Sequence, residues 1–158
     1  MGWNLPNNLP LTLCALLPAP MDYALRGKPQ SVPASSGAYL LILRFDQPLA
    51  PSIPTLSADI LPPGWYAYAG SARGPGGMRA RISRHLKTDK PVHWHIDRLT
   101  PAADPLLALA YPQANECGLI AGLLACGAFA VPLPRFGASD CRQCPSHLLR
   151  WTEGTATG

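Results

Sequence analysis

Breaks in the backbone constrain this chain more than any other feature: 19 prolines and 14 glycines are spread through 158 residues. Proline removes an N–H and fixes φ, and glycine weakens a helix or strand interior, so each tends to end a regular element. The chain must therefore fold from short elements joined by many turns, and a long helical bundle is excluded. The residues are 47% hydrophobic and 14% charged, enough for a real core in one domain but too short a chain for two.

Between the breaks, a few segments have clear periods. Residues 1–36 carry Pro6, Pro10, Pro18, Pro20, Pro29 and Pro33 and are expected to form an irregular or mobile lead-in. Its apolar run Leu9 to Pro20 lacks a preceding Lys or Arg and is too short to span a bilayer, so neither a signal peptide nor a membrane anchor is expected. Met21 opens a more polar stretch and is a candidate start. Ala38 to Phe45 is a short apolar run bounded by Gly37 and Pro48, as in a buried strand. Gly64 to Gly70 alternates aromatic and small residues after Pro62-Pro63, which suggests a second strand paired antiparallel to the first. Leu106 to Tyr111 reads as a third strand, and Ser146 to Trp151 as a returning one. Met78, Ile82 and Leu86 recur every fourth residue and form one helix stripe. His93 to Leu99 reads as a short helix, and Asn115 can cap another helix from Glu116 to about Cys126. The expected fold is α/β, an α+β sandwich with a small antiparallel sheet of about three strands flanked by helices. The domain spans 37–151, with a tail at 152–158.

The formal charge is +4 and the pI about 8.9, which favours a polyanion without making the chain a bulk DNA coat. Arg73, Arg79, Arg81, Arg84, Lys87 and Lys90 face one acid, Asp89, between residues 73 and 90. This is either a phosphate-facing surface or a solvated helix face. Arg73, Arg79, Arg84 and Lys87 are the expected nucleic-acid-binding residues.

Gly37-Ala38-Tyr39, then Tyr68-Ala69-Gly70-Ser71-Ala72, then Arg81 four residues before His85, then Glu116-Cys117-Gly118-Leu119-Ile120 occur in that order. Together they resemble the GIY-YIG nuclease superfamily. A closer likeness adds His-Trp-His-Ile-Asp at 93–97, Phe-Gly-Ala-Ser-Asp-Cys at 136–141 and Ser-His-Leu at 146–148. It is to a small, largely uncharacterised bacterial and archaeal branch, sometimes fused to an endonuclease III-like glycosylase. The resemblance implies a divalent-metal-dependent endonuclease acting on DNA more than RNA, in repair, with Tyr39, Tyr68, Arg81, His85 and Glu116 as catalytic residues. It also implies a single Mg2+ or Mn2+ ion on Glu116. Cytoplasmic location, absence of membrane attachment and a DNA-repair partner protein are the accompanying expectations. The alternative is a non-catalytic nucleic-acid-binding module with the same fold.

Each residue suits its part on chemical grounds. A planar, permanently charged guanidinium at Arg81 can bind two phosphate oxygens. Tyr39 resembles the general base, although a free phenol needs nearby cations to act as one; His85 is the alternative or relay base, with Tyr68 ordering water or phosphate. The glycine-rich turn 74–77 offers backbone N–H groups that could cradle a phosphate. Against these stand the ordinary readings: strand tyrosines as core, as expected for Tyr66, and Glu116 as a partner of the helix dipole. The linker between the signature triplets is long and proline-rich, and no second DNA-binding domain accompanies them.

Five cysteines, Cys14, Cys117, Cys126, Cys141 and Cys144, make no even framework and are read as reduced thiols. Cys141, Cys144 and His147 have zinc-like spacing, and Cys117 completes a four-ligand set if the tail folds back. The other reading is buried thiols. His93, His95 and Asp97 alternate at a spacing that no single helix face shares, so one of them is expected to pack beside the site.

Overall fold

The computed structural model describes residues 22–25, 32–54, 56, 60–104, 106–112, 114–125, 127–137 and 143–152. Its centre is a six-stranded antiparallel sheet. The strands are β1 (Asp22–Leu25), β2 (Gly37–Phe45), β3 (Gly64–Ala72), β4 (Leu106–Tyr111), β5 (Phe129–Ala130) and β6 (Leu148–Trp151), in the order β1-β4-β2-β3-β6-β5. About three strands were expected. β2, β3 and β4 have their sequence-predicted places and β2 pairs antiparallel with β3 as predicted; the returning strand read at Ser146 to Trp151 is β6, and β1 and β5 are the difference.

β2 and β3 pair along their whole length, from Gly37 opposite Ala72 to Phe45 opposite Gly64. β4 pairs with the other side of β2. These strands are apolar on both faces because helices cover both. Tyr39, Leu41, Leu43, Tyr66 and Tyr68 point to one core, and Ala38, Leu40, Ile42, Ala67 and Ala69 to the other. That alternation is the period of two of a pleated strand, buried twice.

Helix α1 (Gly77–Leu86) packs Met78 and Ile82 into the first core. Each fully buried aliphatic side chain of this kind contributes roughly 2 kcal/mol. Helix α2 (Glu116–Ala125) packs Leu119, Ile120 and Leu123 into the second. Asn115 caps it as the sequence suggests, its Oδ1 accepting from the Gly118 N–H at 2.7 Å.

Two expectations are corrected and a third is narrowed. Asp22–Leu25, inside the stretch expected to be irregular, is an edge strand paired with Ala110 to Leu107 of β4; the candidate start at Met21 and the apolar run before it lie outside the described residues. The helix expected at His93–Leu99 shrinks to a 3-10 turn, His95–Arg98, followed by another, Thr100–Ala102. In the glycine-rich turn one N–H group, that of Gly77, is taken by the backbone, as are those of the next two residues. Gly77 donates to the Gly74 carbonyl, Met78 to Ser35 and Arg79 to Pro33, all between 2.9 and 3.1 Å. A Cβ on Gly77, whose φ is +54°, would overlap the Ala34 and Ser35 carbonyls, so glycine serves helix entry there.

The basic segment is also partly structural. The Lys90 ammonium donates to the Arg84, His85 and Lys87 carbonyls at 3.2, 2.7 and 2.8 Å, closing the C-terminus of α1, where a cation is favoured. Arg79 donates through Nε to the Val32 carbonyl at 2.8 Å. Among the described residues, no helix is long and apolar enough to cross a membrane.

Candidate active site

All five expected catalytic side chains line one cleft of about 400 Å³, with Trp94, the histidines 93, 95 and 147, and Gly70, Ser71 and Gly137. The fold explains the convergence. β3 pairs with β6 only from Tyr66 to Tyr68, so Gly70 and Ser71 run past the last strand pair on that side. Arg81 and His85 come from α1, Tyr39 and Tyr68 from the two longest strands, and Glu116 from the first turn of α2.

Gly70 sits opposite Tyr39 in the β2–β3 register. A Cβ there would collide with the ring and hydroxyl of Tyr39. The glycine that closes the Tyr-Ala-Gly triplet is therefore a space requirement: it lets the Tyr39 ring lie across β3. Gly137, at φ +67°, does the same for Tyr68, whose Cε1 would be 2.9 Å from a Cβ at that position.

The Tyr39 hydroxyl and His85 Nε2 share a buried hydrogen bond of 2.7 Å. Burial drives both groups to neutrality. It raises the Tyr39 phenol well above its ordinary value, with the Arg81 cation opposing and Glu116 adding to the rise. Tyr68 is raised too, first by burial and then by Tyr39 and Glu116. For His85, burial and then the Lys90 cation push the imidazole down to about 3. Its Nδ1 is buried and has no hydrogen-bond partner among the described residues. Burial thus favours an uncharged phenol and an uncharged imidazole in the free protein.

This predicts an acid sensitivity. From the ordinary histidine value of 6.5 down to about 3, the unfolded chain takes up a proton that native His85 refuses. The contribution is full above the upper value and lost progressively as pH falls toward the lower one, at up to about 1.4 kcal/mol per pH unit. Asp97, held below the usual carboxylate range by Arg84 and two backbone N–H groups against the opposing effect of burial, adds to the loss only in more acid solution. Urea unfolding measured from pH 7 to 4 checks this: His85→Gln should flatten the slope, and an equally steep slope in that variant would assign it elsewhere.

Arg81 is half-buried, donates one N–H to the Ser71 carbonyl at 3.2 Å, and lies 4.4 Å over the Trp94 ring. This fixes the plane of the guanidinium while leaving other donors for a ligand. Arg84 also stacks on Trp94, at 4.5 Å, but its charge is spent. Its two terminal nitrogens hold both oxygens of buried Asp97 at 2.8 and 3.0 Å, so Arg84 is withdrawn from the expected nucleic-acid-binding set. Arg73, Arg79 and Lys87 are exposed, with Arg79 anchored as described.

Asp97 does not line the cleft. Its Oδ2 accepts from the His93 and Trp94 N–H groups, both at 2.8 Å. It thereby shapes the turn that puts His93, Trp94 and His95 on the rim. His95 Nδ1 accepts from the Gly137 N–H at 2.8 Å, tying that rim to the loop before β6. Two histidines of the triplet, not one, border the site. Trp94 was missed by sequence reasoning; a lone tryptophan between histidines on a loop was the only signal.

Among the described residues, Glu116 is the one carboxylate in the lining. A single carboxylate suits an ion of the magnesium class, which keeps most of its oxygen positions for water and substrate. A separate group, Cys117, Cys144 and His147, has its ligand atoms within 4.8 Å of one another. Cys141, expected to join it, lies outside the described residues.

A family model described as a domain of unknown function, DUF123, matches residues 38–157. No curated protein matches the chain, and no solved structure does.

Proposed function

We propose that this chain, which belongs to the DUF123 family, is a divalent-metal-dependent endonuclease of the GIY-YIG type that hydrolyses phosphodiester bonds in DNA, in a repair setting. One observation carries the reading. Tyr39, Tyr68, Arg81, His85 and Glu116, picked out by their order in the sequence, come from four different elements and line one cleft.

The residues divide the work of an in-line displacement. A divalent ion held by Glu116 would offset phosphate charge and stabilise the leaving oxygen. Arg81, its plane set by Trp94 and Ser71, binds the phosphate oxygens and meets the charge that develops on them. The Tyr39 hydroxyl, hydrogen-bonded to His85 Nε2, takes the proton of the attacking water and relays it to the imidazole. Both groups are neutral in the free protein, and the negative charge of a bound phosphate is what favours a proton on His85. Tyr68 presents its hydroxyl to the same space and orders water or phosphate. Exposed Arg73 and Lys87, which flank α1 in sequence, supply salt-sensitive attraction to the strand.

The test is cleavage of labelled single-stranded, duplex, flap and branched DNA, with matched RNA strands, in Mg2+ or Mn2+. Arg81→Lys keeps the charge but loses the planar fork, and should cut cleavage by about 10²-fold. Tyr39→Phe should do likewise while the fold persists. If the native protein cleaves nothing on the panel yet binds it in a salt-dependent way, the chain is a nucleic-acid-binding module that retains the fold without turnover.

A further inference from the structure

We propose that Cys117, Cys144 and His147 bind one zinc ion at the wall between the candidate active cleft and the neighbouring cleft beside α2. His147 lines the first, and Cys117 and Cys144 line the second, of about 350 Å³. The site is distinct from the Glu116 ion and does not rest on the nuclease reading.

Three observations converge. The ligand atoms lie within 4.8 Å of one another although Cys117 belongs to α2 and the other two to the loop before β6. The fold therefore gathers residue 117 with 144 and 147, which local spacing alone could not do. A tetrahedral zinc with bonds of about 2.3 Å to sulfur and 2.0 Å to nitrogen needs these atoms roughly 3.5–3.8 Å apart. The three atoms, within 4.8 Å of one another, would draw in by roughly 1 Å.

His147 is buried, and its Nε2 has no hydrogen-bond partner among the described residues. Buried imidazole nitrogens are ordinarily satisfied, and one left open beside two thiols is a ligand position. The backbone there is already fixed: His147 donates to the Phe136 carbonyl at 2.8 Å and accepts from the Ala69 N–H at 2.9 Å.

The donor set selects the metal. Two sulfurs and an imidazole suit zinc and reject magnesium, and binding releases the thiol protons. Three protein ligands leave one tetrahedral position for water or a further ligand. The ion would fasten the first turn of α2, where Glu116 precedes Cys117, to the start of β6.

The full-length protein, purified in reductant without chelator, should carry about one zinc per chain by plasma mass spectrometry. Replacement by cobalt should give the intense near-ultraviolet absorption of thiolate ligation, weakened in both Cys117→Ser and Cys144→Ser. Each serine variant should lose zinc at least about tenfold. Because either might fold poorly, the native protein supplies a second reading: removing the ion with chelator should lower its Tm, and zinc alone should restore it. A native protein that takes up no zinc, serine variants that keep it, or a two-dalton mass loss mapping to a Cys117–Cys144 disulfide in freshly isolated protein overturns the proposal.

Discussion

Glu116→Ala should lower metal-dependent DNA cleavage by at least about 10²-fold while leaving strand binding intact. No other carboxylate of the described lining can stand in. Among the described residues Glu116 is the sole carboxylate lining the cleft, and Asp97 is occupied on both oxygens by Arg84 and two backbone N–H groups. Binding should survive because the removed charge lies near Arg81, and its loss makes the cleft more attractive to phosphate. The fold should survive as well. The carboxylate's favourable interaction with the helix terminus is worth about 0.5 kcal/mol, and the Asn115 cap is untouched. Native-level cleavage by the alanine variant would sink the assignment of Glu116 and point to a contaminating nuclease or a different metal site. Lost cleavage with lost binding would indicate disturbance of α2 instead, which the far-ultraviolet spectrum separates.

The parts legible from sequence were those governed by local pattern. β2, β3, β4 and both helices are continuous runs whose period and flanking turns fall within a dozen residues. β1 and β5 were not legible. β1 has four residues and draws its stability from β4, more than 80 positions away; β5 has only two residues. The cleft was legible through residue types that recur in order, yet its energetics were not. The Tyr39–His85 bond joins residues 46 apart, and burial of both partners, invisible in sequence, sets their charge. The basic run misled for a related reason. A count of arginines and lysines cannot distinguish exposed Arg73 from Arg84, whose partner is 13 residues away. Nor can it show that Lys90 folds back onto the end of α1. The glycine-rich turn was similar, since the carbonyls that occupy the donors just after it come from Pro33 and Ser35.

Asp97 illustrates how a residue that resembles a metal ligand can instead organise a site. Asp97→Ala should destabilise the protein by about 3 kcal/mol, the range for breaking a buried charge pair by removing one partner. The side chain is fully buried, whereas Arg84 keeps about a quarter of its side-chain exposure, which lets water partly rescue the abandoned guanidinium. The N–H groups of His93 and Trp94 lose their acceptor at the same time. Trp94 in turn carries Arg81 on its ring at 4.4 Å, so the damage should reach the cleft through the guanidinium's orientation. Asp97→Asn sharpens the test. It keeps an acceptor for the backbone but forfeits the charge, so it should recover part of the stability while Arg84 remains weakly held. Urea unfolding of both variants, alongside DNA cleavage by the folded fraction, decides the matter: equal stability of native and alanine proteins would mean that the Arg84–Asp97 pair contributes nothing. A destabilised variant with full activity per folded molecule would separate the turn from the positioning of Arg81.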